Sequence, residues 1–218
     1  MIRGREKKLR AVYERLYDAL GPSGWWPGET PLEVMVGAIL TQNTSWGNVE
    51  KALDRLKQAG ALSLPVLHET PEEQLAEWVR PAGYFRVKAR RLKNFTRFLM
   101  EECAGRIEAL ADRDRDSLRE GLLTVQGIGP ETADSILLYG LGMPTFVVDA
   151  YTYRIFSRHG LVSEEADYET LRSFFEEALT PEAGLFNEYH ALIVRTGKKY
   201  CRKRDPRCGE CPLGDLEL

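Results

Sequence analysis

A Gly-x-Gly turn between two stretches of helical periodicity constrains the fold of this chain more than any other feature. Gly127 and Gly129 enclose one apolar residue, and Pro130 follows at a position where a first helical residue loses nothing by lacking an N–H. The pattern predicts a helix over residues 116–124, a tight turn and a second helix over 130–139. The N–H groups and positive dipole at the start of the second helix would form a seat for a phosphate. A lone Gly-x-Gly turn is also compatible with a plain corner between helices.

The rest of the chain alternates between helical periodicity and turn signals. No stretch shows the period-two alternation of a half-buried strand. Residues 31–40 are too apolar for a surface helix and predict a buried one, and Thr70 with Glu73 forms a capping-box pattern. Further helices are predicted over 7–20, 48–59, 71–79, 88–102, 150–158, 168–179 and 182–196. The predicted fold class is therefore all-α.

Charge is distributed unevenly along the chain, although the net charge is only −3. One basic block lies at 80–97 and another at 195–207, whereas acidic residues concentrate at 164–188. This asymmetry favours a basic face for a polyanion and an acidic back, with ordinary solvated helix faces as the alternative. No apolar run is long enough to span a bilayer, and the N-terminus lacks the apolar region of a signal peptide. We therefore expect a cytoplasmic protein without a membrane partner.

Two further features accompany the hairpin pattern: an apolar run that ends at Asp149, and a C-terminal group of cysteines. The combination resembles the helix-hairpin-helix DNA glycosylase superfamily that includes endonuclease III. The resemblance implies two lobes, one over 32–146 with the hairpin at about 116–140, and one that combines 1–31 with 147–218. It also implies a nucleoid-associated monomer whose partner is double-stranded DNA with a damaged base.

Asp149 is the candidate catalytic residue of this resemblance. In the family the aspartate lies beside the sugar of a nucleotide that has been flipped out of the duplex. A carboxylate there stabilises the oxocarbenium character of glycosidic cleavage and orients the attacking water. An aspartate after an extended run is also typical of a helix N-cap, and the two roles are compatible.

The other expected DNA contacts come from the same resemblance. Gln42 would fill the gap left by the flipped nucleotide, and Tyr84 would wedge the opposite strand. A hydrogen-bonded glutamine at the end of a buried helix is the alternative for Gln42. The hairpin would bind phosphates through Gly127, Gly129 and Thr132.

The base pocket is predicted from departures from endonuclease III. Glu131 stands where bifunctional members carry the lysine that forms a Schiff base, so we expect a monofunctional glycosylase without AP-lyase activity. Five segments are similar to the 3-methyladenine DNA glycosylase III type, in which aromatic side chains enclose the base: residues 25–27, 37–44, 79–84, 129–136 and 148–153. The corresponding pocket positions are Trp25, Trp26, Pro27 and Trp46. A cationic alkylated purine stacked on these indoles gains a cation–π attraction of about 1–2 kcal/mol.

Other functions and a structural explanation of the aromatic loop stay open at this point. A glycosylase of the same fold could act on another damaged or mismatched base, and a non-catalytic helix-hairpin-helix module could bind DNA alone. The tryptophans could pack inside a core, although two adjacent indoles do not easily face the same core.

The C-terminal cysteines are spaced as metal ligands. Cys201, Cys208 and Cys211 resemble the start of the [4Fe–4S] loop of endonuclease III, and Glu217 falls on the position of the fourth cysteine in the loop 201–217. Zinc is the alternative metal, and a lost site with leftover cysteines is the alternative to both. Cys103 lies far from them in sequence and is expected to be a core thiol.

Overall fold

The computed structural model describes residues 2–25 and 28–216, and within these ranges the chain is helical and contains no β-strand. The predicted all-α fold class is therefore confirmed. None of the helices in these ranges is long and apolar enough to cross a membrane. The α-helices are α1 (Ile2–Leu20), α2 (Pro31–Leu40), α3 (Trp46–Gln58), α4 (Leu64–Glu69), α5 (Glu72–Trp78), α6 (Phe85–Cys103), α7 (Arg115–Thr124), α8 (Pro130–Ser135), α9 (Ala150–Arg158), α10 (Tyr168–Glu176) and α11 (Ala183–Lys199).

The chain divides into two compact units. We call Pro27–Met143 the hairpin unit, and Met1–Trp26 together with Pro144–Leu218 the terminal unit. The core of the hairpin unit is built around α2, in which every residue from Leu32 to Leu40 is buried. This agrees with the buried helix predicted for residues 31–40, because an apolar helix is stable only when it is covered on all sides.

The two hairpin helices follow the predicted boundaries closely. α7 begins after Asp114, whose carboxylate accepts a hydrogen bond from the N–H of Ser117 at 2.8 Å. α8 begins after Gly129 and continues beyond Ser135 as a π-helical turn over Ile136–Gly140. The π-helical turn is a local widening that helical periodicity does not distinguish from an α-helix.

A buried ion pair joins the two hairpin helices. Arg119 on α7 donates from Nε to Oδ1 of Asp134 at 2.7 Å and from Nη2 to Oδ2 at 3.2 Å. Asp134 is fully buried and Arg119 is 9% exposed. A two-point contact of this kind fixes the angle between the helices as well as their distance.

The core of the terminal unit is a cluster of aromatic rings. Phe146 stacks on Phe175 with 3.7 Å between ring centroids, and Tyr189 meets both rings edge to face. The Tyr189 hydroxyl donates to the carbonyl of Leu9 on α1 at 2.8 Å. The N-terminal helix is thereby attached to α11, which carries Tyr189 near its middle.

The structure differs from the predicted capping box at residue 70. Thr70 ends α4, and its hydroxyl donates back to the carbonyl of Val66 at 2.6 Å. α5 begins after Pro71 without a side-chain cap. The prediction was wrong because Thr70 is the C-cap of the short helix α4, which the sequence pattern did not predict.

Candidate functional site

Asp149 caps α9 and is held in one orientation by it. Its Oδ1 accepts hydrogen bonds from the N–H of Tyr151 at 2.9 Å and of Thr152 at 2.8 Å, and from the Thr152 hydroxyl at 3.0 Å. The N–H of Asp149 donates to the same hydroxyl at 3.4 Å, which completes a capping box. The N-cap expected from the sequence is present, and it uses only one of the two carboxylate oxygens in these contacts.

The second oxygen of Asp149 faces a histidine on α11. Oδ2 lies 3.6 Å from Nε2 of His190, and the two side chains are 12% and 7% exposed. Burial acts to raise the pKa of Asp149, but the contact with His190 and the hydrogen bonds from Thr152 outweigh it, so the pKa lies below its usual value of 3.8. The carboxylate is therefore ionised at neutral pH. No local sequence signal marks His190, because only the packing of α11 against α9 brings it near.

α11 also holds the loop that carries Trp25. Glu188 accepts hydrogen bonds from the N–H of Ser23 at 2.9 Å and from its hydroxyl at 2.8 Å. Ser23 Oγ in turn accepts from the N–H of Trp25 at 3.2 Å, and the Trp25 side chain is half-buried. Trp25 and Asp149 are thus both supported by α11, through Glu188 and His190. No local sequence pattern marks either support.

The remaining pocket residues fall into two groups. Trp26 and Pro27 lie outside the described residues. Trp46 is the first residue of α3 in the hairpin unit, where it is half-buried against the core and its indole N–H donates to Glu50 at 2.8 Å. Of the predicted pocket residues, Trp25 therefore belongs to the terminal unit, as Asp149 does. Trp46 belongs to the hairpin unit.

Gln42 is hydrogen-bonded to the hairpin. Its Nε2 donates to the carbonyl of Gly127 at 3.1 Å and to the hydroxyl of Thr132 at 2.9 Å, and its Oε1 accepts from Arg91. The amide is thus engaged at both ends, as in the alternative of a hydrogen-bonded glutamine at a helix end. These contacts bring Gln42 together with Gly127 and Thr132, which are also predicted DNA-binding residues. Gly127 and Thr132 lie on either side of Gly129, the N-cap of α8.

Tyr84 lies on a turn with unusual backbone geometry. It is 72% exposed and adopts φ +46°, directly after Gly83 with φ +68°. A left-handed conformation is rare for an aromatic residue and is maintained only where neighbouring structure imposes it. Val87, one turn along α6, is also exposed at 49%. The turn therefore presents apolar surface to solvent.

Lys88 lies beneath this turn and is 1% exposed. Its ammonium donates to the carbonyl of Ala82 at 2.7 Å and to the carbonyl of Leu40 at 2.8 Å. Burial, together with the nearby charge of Arg91, lowers the pKa of Lys88 to about 8. The prediction that the basic block at 80–97 forms a face for a polyanion is wrong for Lys88, because interior carbonyl groups bind its ammonium.

Other cations of the two basic blocks also bind carbonyl groups of the protein. Lys93 donates to the carbonyl of Thr70 at 2.9 Å, and Arg195 donates to the carbonyl of Gly21 at 2.8 Å. In the sequence such residues look like surface charges. In the structure some of their N–H groups donate to backbone carbonyl groups of the protein instead.

The C-terminal cysteine loop is fastened to α9. Arg154 donates to the carbonyl of Cys201 at 2.7 Å, and Arg158 donates to the carbonyl of Arg202 at 2.8 Å and approaches Sγ of Cys201 at 3.4 Å. Burial raises the pKa of the Cys211 thiol, and the proximity of Cys201 and Cys208 raises it further.

The donor set of a metal site is incomplete in the part of the chain that the structure describes. Within residues 2–25 and 28–216 no group of three or more His, Cys, Asp or Glu side chains is arranged to hold a metal ion. Glu217, the predicted fourth ligand, lies outside these ranges. Thiolates nevertheless remain the donor type that iron–sulfur clusters and zinc require. Cys103 is buried on α6, as expected for a core thiol.

An all-helical chain with a glycine hairpin and a capped, largely buried carboxylate is typical of helix-hairpin-helix repair enzymes, and comparison with known proteins assigns this chain to one family. Residues 36–181 match the HhH-GPD superfamily of base excision DNA repair proteins. The chain belongs to this superfamily and is a DNA repair glycosylase.

Individual relatives cover nearly the whole chain. A presumed DNA repair glycosylase of Methanocaldococcus jannaschii is 48% identical over 220 residues, which span 100% of this chain and 99% of the relative. Endonuclease III of Thermotoga maritima is 31% identical over 183 residues, which span 84% of this chain and 80% of the relative.

Two solved structures are similar in fold. The 3-methyladenine DNA glycosylase of H. pylori, bound to 1,N6-ethenoadenine, superposes with a TM-score of 0.75 at 30% identity, over 89% of this chain and 97% of the other. A covalently trapped endonuclease III–DNA complex superposes with a TM-score of 0.80 at 20% identity, over 95% and 93% of the two chains. The second similarity concerns the fold alone.

Proposed function

We propose that this chain is a monofunctional DNA glycosylase that removes alkylated purines, 3-methyladenine above all, from double-stranded DNA. The observation that carries the proposal is Asp149: a largely buried, ionised carboxylate that is fixed by a capping box and supported by the same helix as the Trp25 loop. The similarity to the H. pylori 3-methyladenine DNA glycosylase supports this substrate class.

Asp149 acts in this proposal mainly through its charge. Cleavage of the N-glycosidic bond leaves positive charge on the sugar, and a fixed carboxylate stabilises that charge. Because the pKa of Asp149 is lowered, its carboxylate is a weak base and cannot itself ionise water at the start of the reaction. Water attacks C1′ as the base departs, and the attacking water then becomes acidic enough to give its proton to the carboxylate.

The substrate supplies the rest of the driving force. An N3-methylated adenine carries a positive charge in DNA, so it leaves with the bond electrons as a neutral base and needs no general acid. Indole rings attract the cationic base and release the neutral product more easily. Trp25 and Trp46, together with Trp26 and Pro27, are the proposed lining of this pocket.

DNA binding is proposed to use the hairpin, the turn that carries Gln42 and the turn that carries Tyr84. The start of α8 at Gly129 would hold phosphates, with Gly127 and Thr132 beside it, and Tyr84 would wedge the strand opposite the lesion. Gln42 would have to exchange its hydrogen bonds to Gly127 and Thr132 for bonds to DNA in order to plug the gap. The enzyme is proposed to act as a monomer.

Glu131 is the reason for proposing hydrolysis without lyase chemistry. It occupies the second position of α8, and its carboxylate cannot form a Schiff base with the sugar. Borohydride should therefore trap no covalent complex between the wild-type protein and lesion-containing DNA. A trapped complex would contradict the monofunctional assignment.

The test of the proposed function is release of free 3-methyladenine from methylated DNA. We expect release by the wild type and a loss of at least 100-fold in the single-turnover rate of Asp149→Asn, as expected when a fixed charge beside a developing cation is removed. Asp167→Asn is the matched control: Asp167 also caps a helix of the terminal unit, accepting from Thr170 at 2.8 Å, but it is exposed. The control should retain wild-type activity.

Other outcomes separate the alternatives. Release of an oxidised or mismatched pyrimidine in place of 3-methyladenine would favour a glycosylase for another lesion. Duplex binding without release of any base, with equal results for wild type and Asp149→Asn, would favour a non-catalytic binding module.

We further propose that the cysteine loop holds a [4Fe–4S] cluster, with zinc as the alternative metal. Cys201, Cys208 and Cys211 would be the protein ligands, and Glu217 the candidate fourth ligand. The role is structural, because the loop is fastened to α9 by Arg154 and Arg158.

Metal analysis of protein purified without oxygen tests this part. Iron with acid-labile sulfide and broad visible absorption would support the cluster, and stoichiometric zinc would support the alternative. Cys208→Ser should lower the metal content, whereas the control Cys103→Ser should not, since Cys103 is buried on α6. Protein that is stable and contains neither metal would overturn the proposal.

A further inference from the structure

α6 contacts three separate elements of the hairpin unit through two side chains one turn apart. Lys88 donates to the carbonyl of Leu40, the last residue of α2, and to the carbonyl of Ala82, two residues before Tyr84. Gln42 follows two residues after the end of α2. The turn that carries Gln42 and the turn that carries Tyr84 are therefore joined by one ammonium group.

Arg91 extends this connection to the hairpin. It donates to Oε1 of Gln42, whose Nε2 donates to the carbonyl of Gly127. The aliphatic part of Arg91 lies directly against Gly127, so closely that a Cβ at residue 127 would overlap it. Gly127 has φ +99°, a conformation that favours glycine, and the absence of a side chain there is what allows Arg91 to approach.

We infer that Lys88 and Arg91 are positioning residues that hold the Gln42 turn, the Tyr84 turn and the Gly127 hairpin in a fixed arrangement for distorting DNA. The inference rests on the proposed function only in taking these three elements as the DNA contacts. Neither residue is assigned a contact with the damaged base.

The burial of Lys88 makes the inference testable. With 1% of its surface exposed, Lys88 cannot reach a phosphate, so any effect of changing it on DNA distortion must pass through the residues that it holds. The backbone it holds is irregular on both sides: Asn43 has φ +54°, and Gly83 and Tyr84 also have positive φ. Such conformations persist only where the surroundings impose them, and the ammonium bound to two carbonyls is such a constraint.

The chain offers a matched control on the same helix. The ammonium of Lys93 also donates to two carbonyl groups, those of His68 and Thr70 at the end of α4. Burial lowers the pKa of Lys93 as it does that of Lys88. Lys93→Met therefore removes the same kind of interaction, but from a part of the unit that carries none of the three proposed DNA contacts.

The experiment measures distortion of DNA without requiring base release. The probe is a duplex with a tetrahydrofuran abasic-site analogue and 2-aminopurine next to it, compared with the same duplex without the analogue. We measure the ratio of the two dissociation constants and the rise in 2-aminopurine fluorescence on binding. Circular dichroism and thermal unfolding identify variants that have lost the fold.

The inference predicts a specific loss of discrimination. Lys88→Met should bind undamaged duplex within about twofold of wild type but lose at least tenfold of the preference for the abasic duplex, together with most of the fluorescence rise. Lys93→Met should keep both. Arg91→Lys, which retains the charge but not the planar guanidinium, should lose discrimination as well, with the salt dependence of binding unchanged.

Three results would overturn the inference. One is wild-type discrimination in folded Lys88→Met, and another is an equal loss in Lys93→Met, which would reduce the effect to general destabilisation. The third is a wild-type protein that shows no preference for the abasic duplex. If Lys88→Met does not fold, Arg91→Lys decides alone, and retention of discrimination by that variant rejects the inference. Failure to release 3-methyladenine would leave these readouts intact, so the two proposals fail separately.

Discussion

Asp149 and His190 meet through Oδ2 and Nε2 at 3.6 Å, while Oδ1 of the same aspartate is occupied by the start of α9. One oxygen of Asp149 thus caps α9, and the other faces His190 on α11. Asparagine keeps an oxygen that can cap α9 but carries no charge, so substitution can separate the capping contribution of Asp149 from that of its charge.

Asp149→Asn and Asp149→Ala should differ in stability although both lack the charge. Asparagine keeps an oxygen that accepts from Tyr151 and Thr152, so we expect a free energy of unfolding within about 0.5 kcal/mol of wild type. Alanine removes the cap and should lose about 1 kcal/mol more. Urea denaturation measures both. Equal stability of the two variants would show that the capping box does not hold α9.

His190→Gln should raise the pKa of Asp149. In the wild type the contact with His190 helps to hold this pKa below 3.8, so the stability that the carboxylate provides is present above pH 3.8 and is lost as the pH falls through the lower, folded-state value. In His190→Gln the folded-state pKa should lie closer to 3.8, so less stability should be lost on acidification and the loss should end at a higher pH. Carbon-13 NMR titration of the Asp149 carboxyl measures the shift directly, and an unchanged pKa would remove His190 from this account.

Gly127→Ala should destabilise the hairpin unit more than Gly129→Ala. Alanine at 127 meets both an unfavourable φ of +99° and the side chain of Arg91, and we expect a loss of about 1–3 kcal/mol. A Cβ at 129 meets nothing within 4 Å, and the φ there is −100°. Thermal unfolding compares the two. Combining Gly127→Ala with Arg91→Ala should recover part of the loss, and no recovery would place the strain entirely in the backbone.

Breaking the ion pair of the hairpin should be among the costliest single changes in the chain. Arg119→Met leaves the carboxylate of Asp134 buried without its arginine, and we expect a loss of about 3–5 kcal/mol in the free energy of unfolding. Adding Asp134→Leu should recover part of that loss, because the buried charge that had paired with Arg119 is removed as well. Denaturant unfolding of the two single variants and the double variant measures the coupling, and strictly additive losses would contradict it.

Local patterns predicted the elements better than the roles of the charged residues on them. The hairpin helices, the buried α2 and the N-cap at Asp149 were all predicted, because each depends on residues within a few positions of one another. The predicted capping box at Thr70 was wrong for a local reason too. Thr70 could end one helix or begin the next, and in the structure its hydroxyl bonds to the end of α4. The burial of Lys88 could not be predicted for a different reason. Nothing in the basic block at 80–97 distinguishes this lysine from its neighbours, although its ammonium binds two backbone carbonyls.

The chain alone thus determined that it would be helical, that a tight turn would separate two helices at Gly127–Gly129, and that an aspartate would begin α9. Helical periodicity, glycine conformations and caps are short-range properties, and they survive in almost any tertiary setting. Folding decided which distant groups meet: His190 with Asp149, Gln42 with the hairpin, and Lys88 with the ends of α2 and the Tyr84 turn. These contacts arise from the packing of whole helices, and burial determines whether a charge meets water or the backbone.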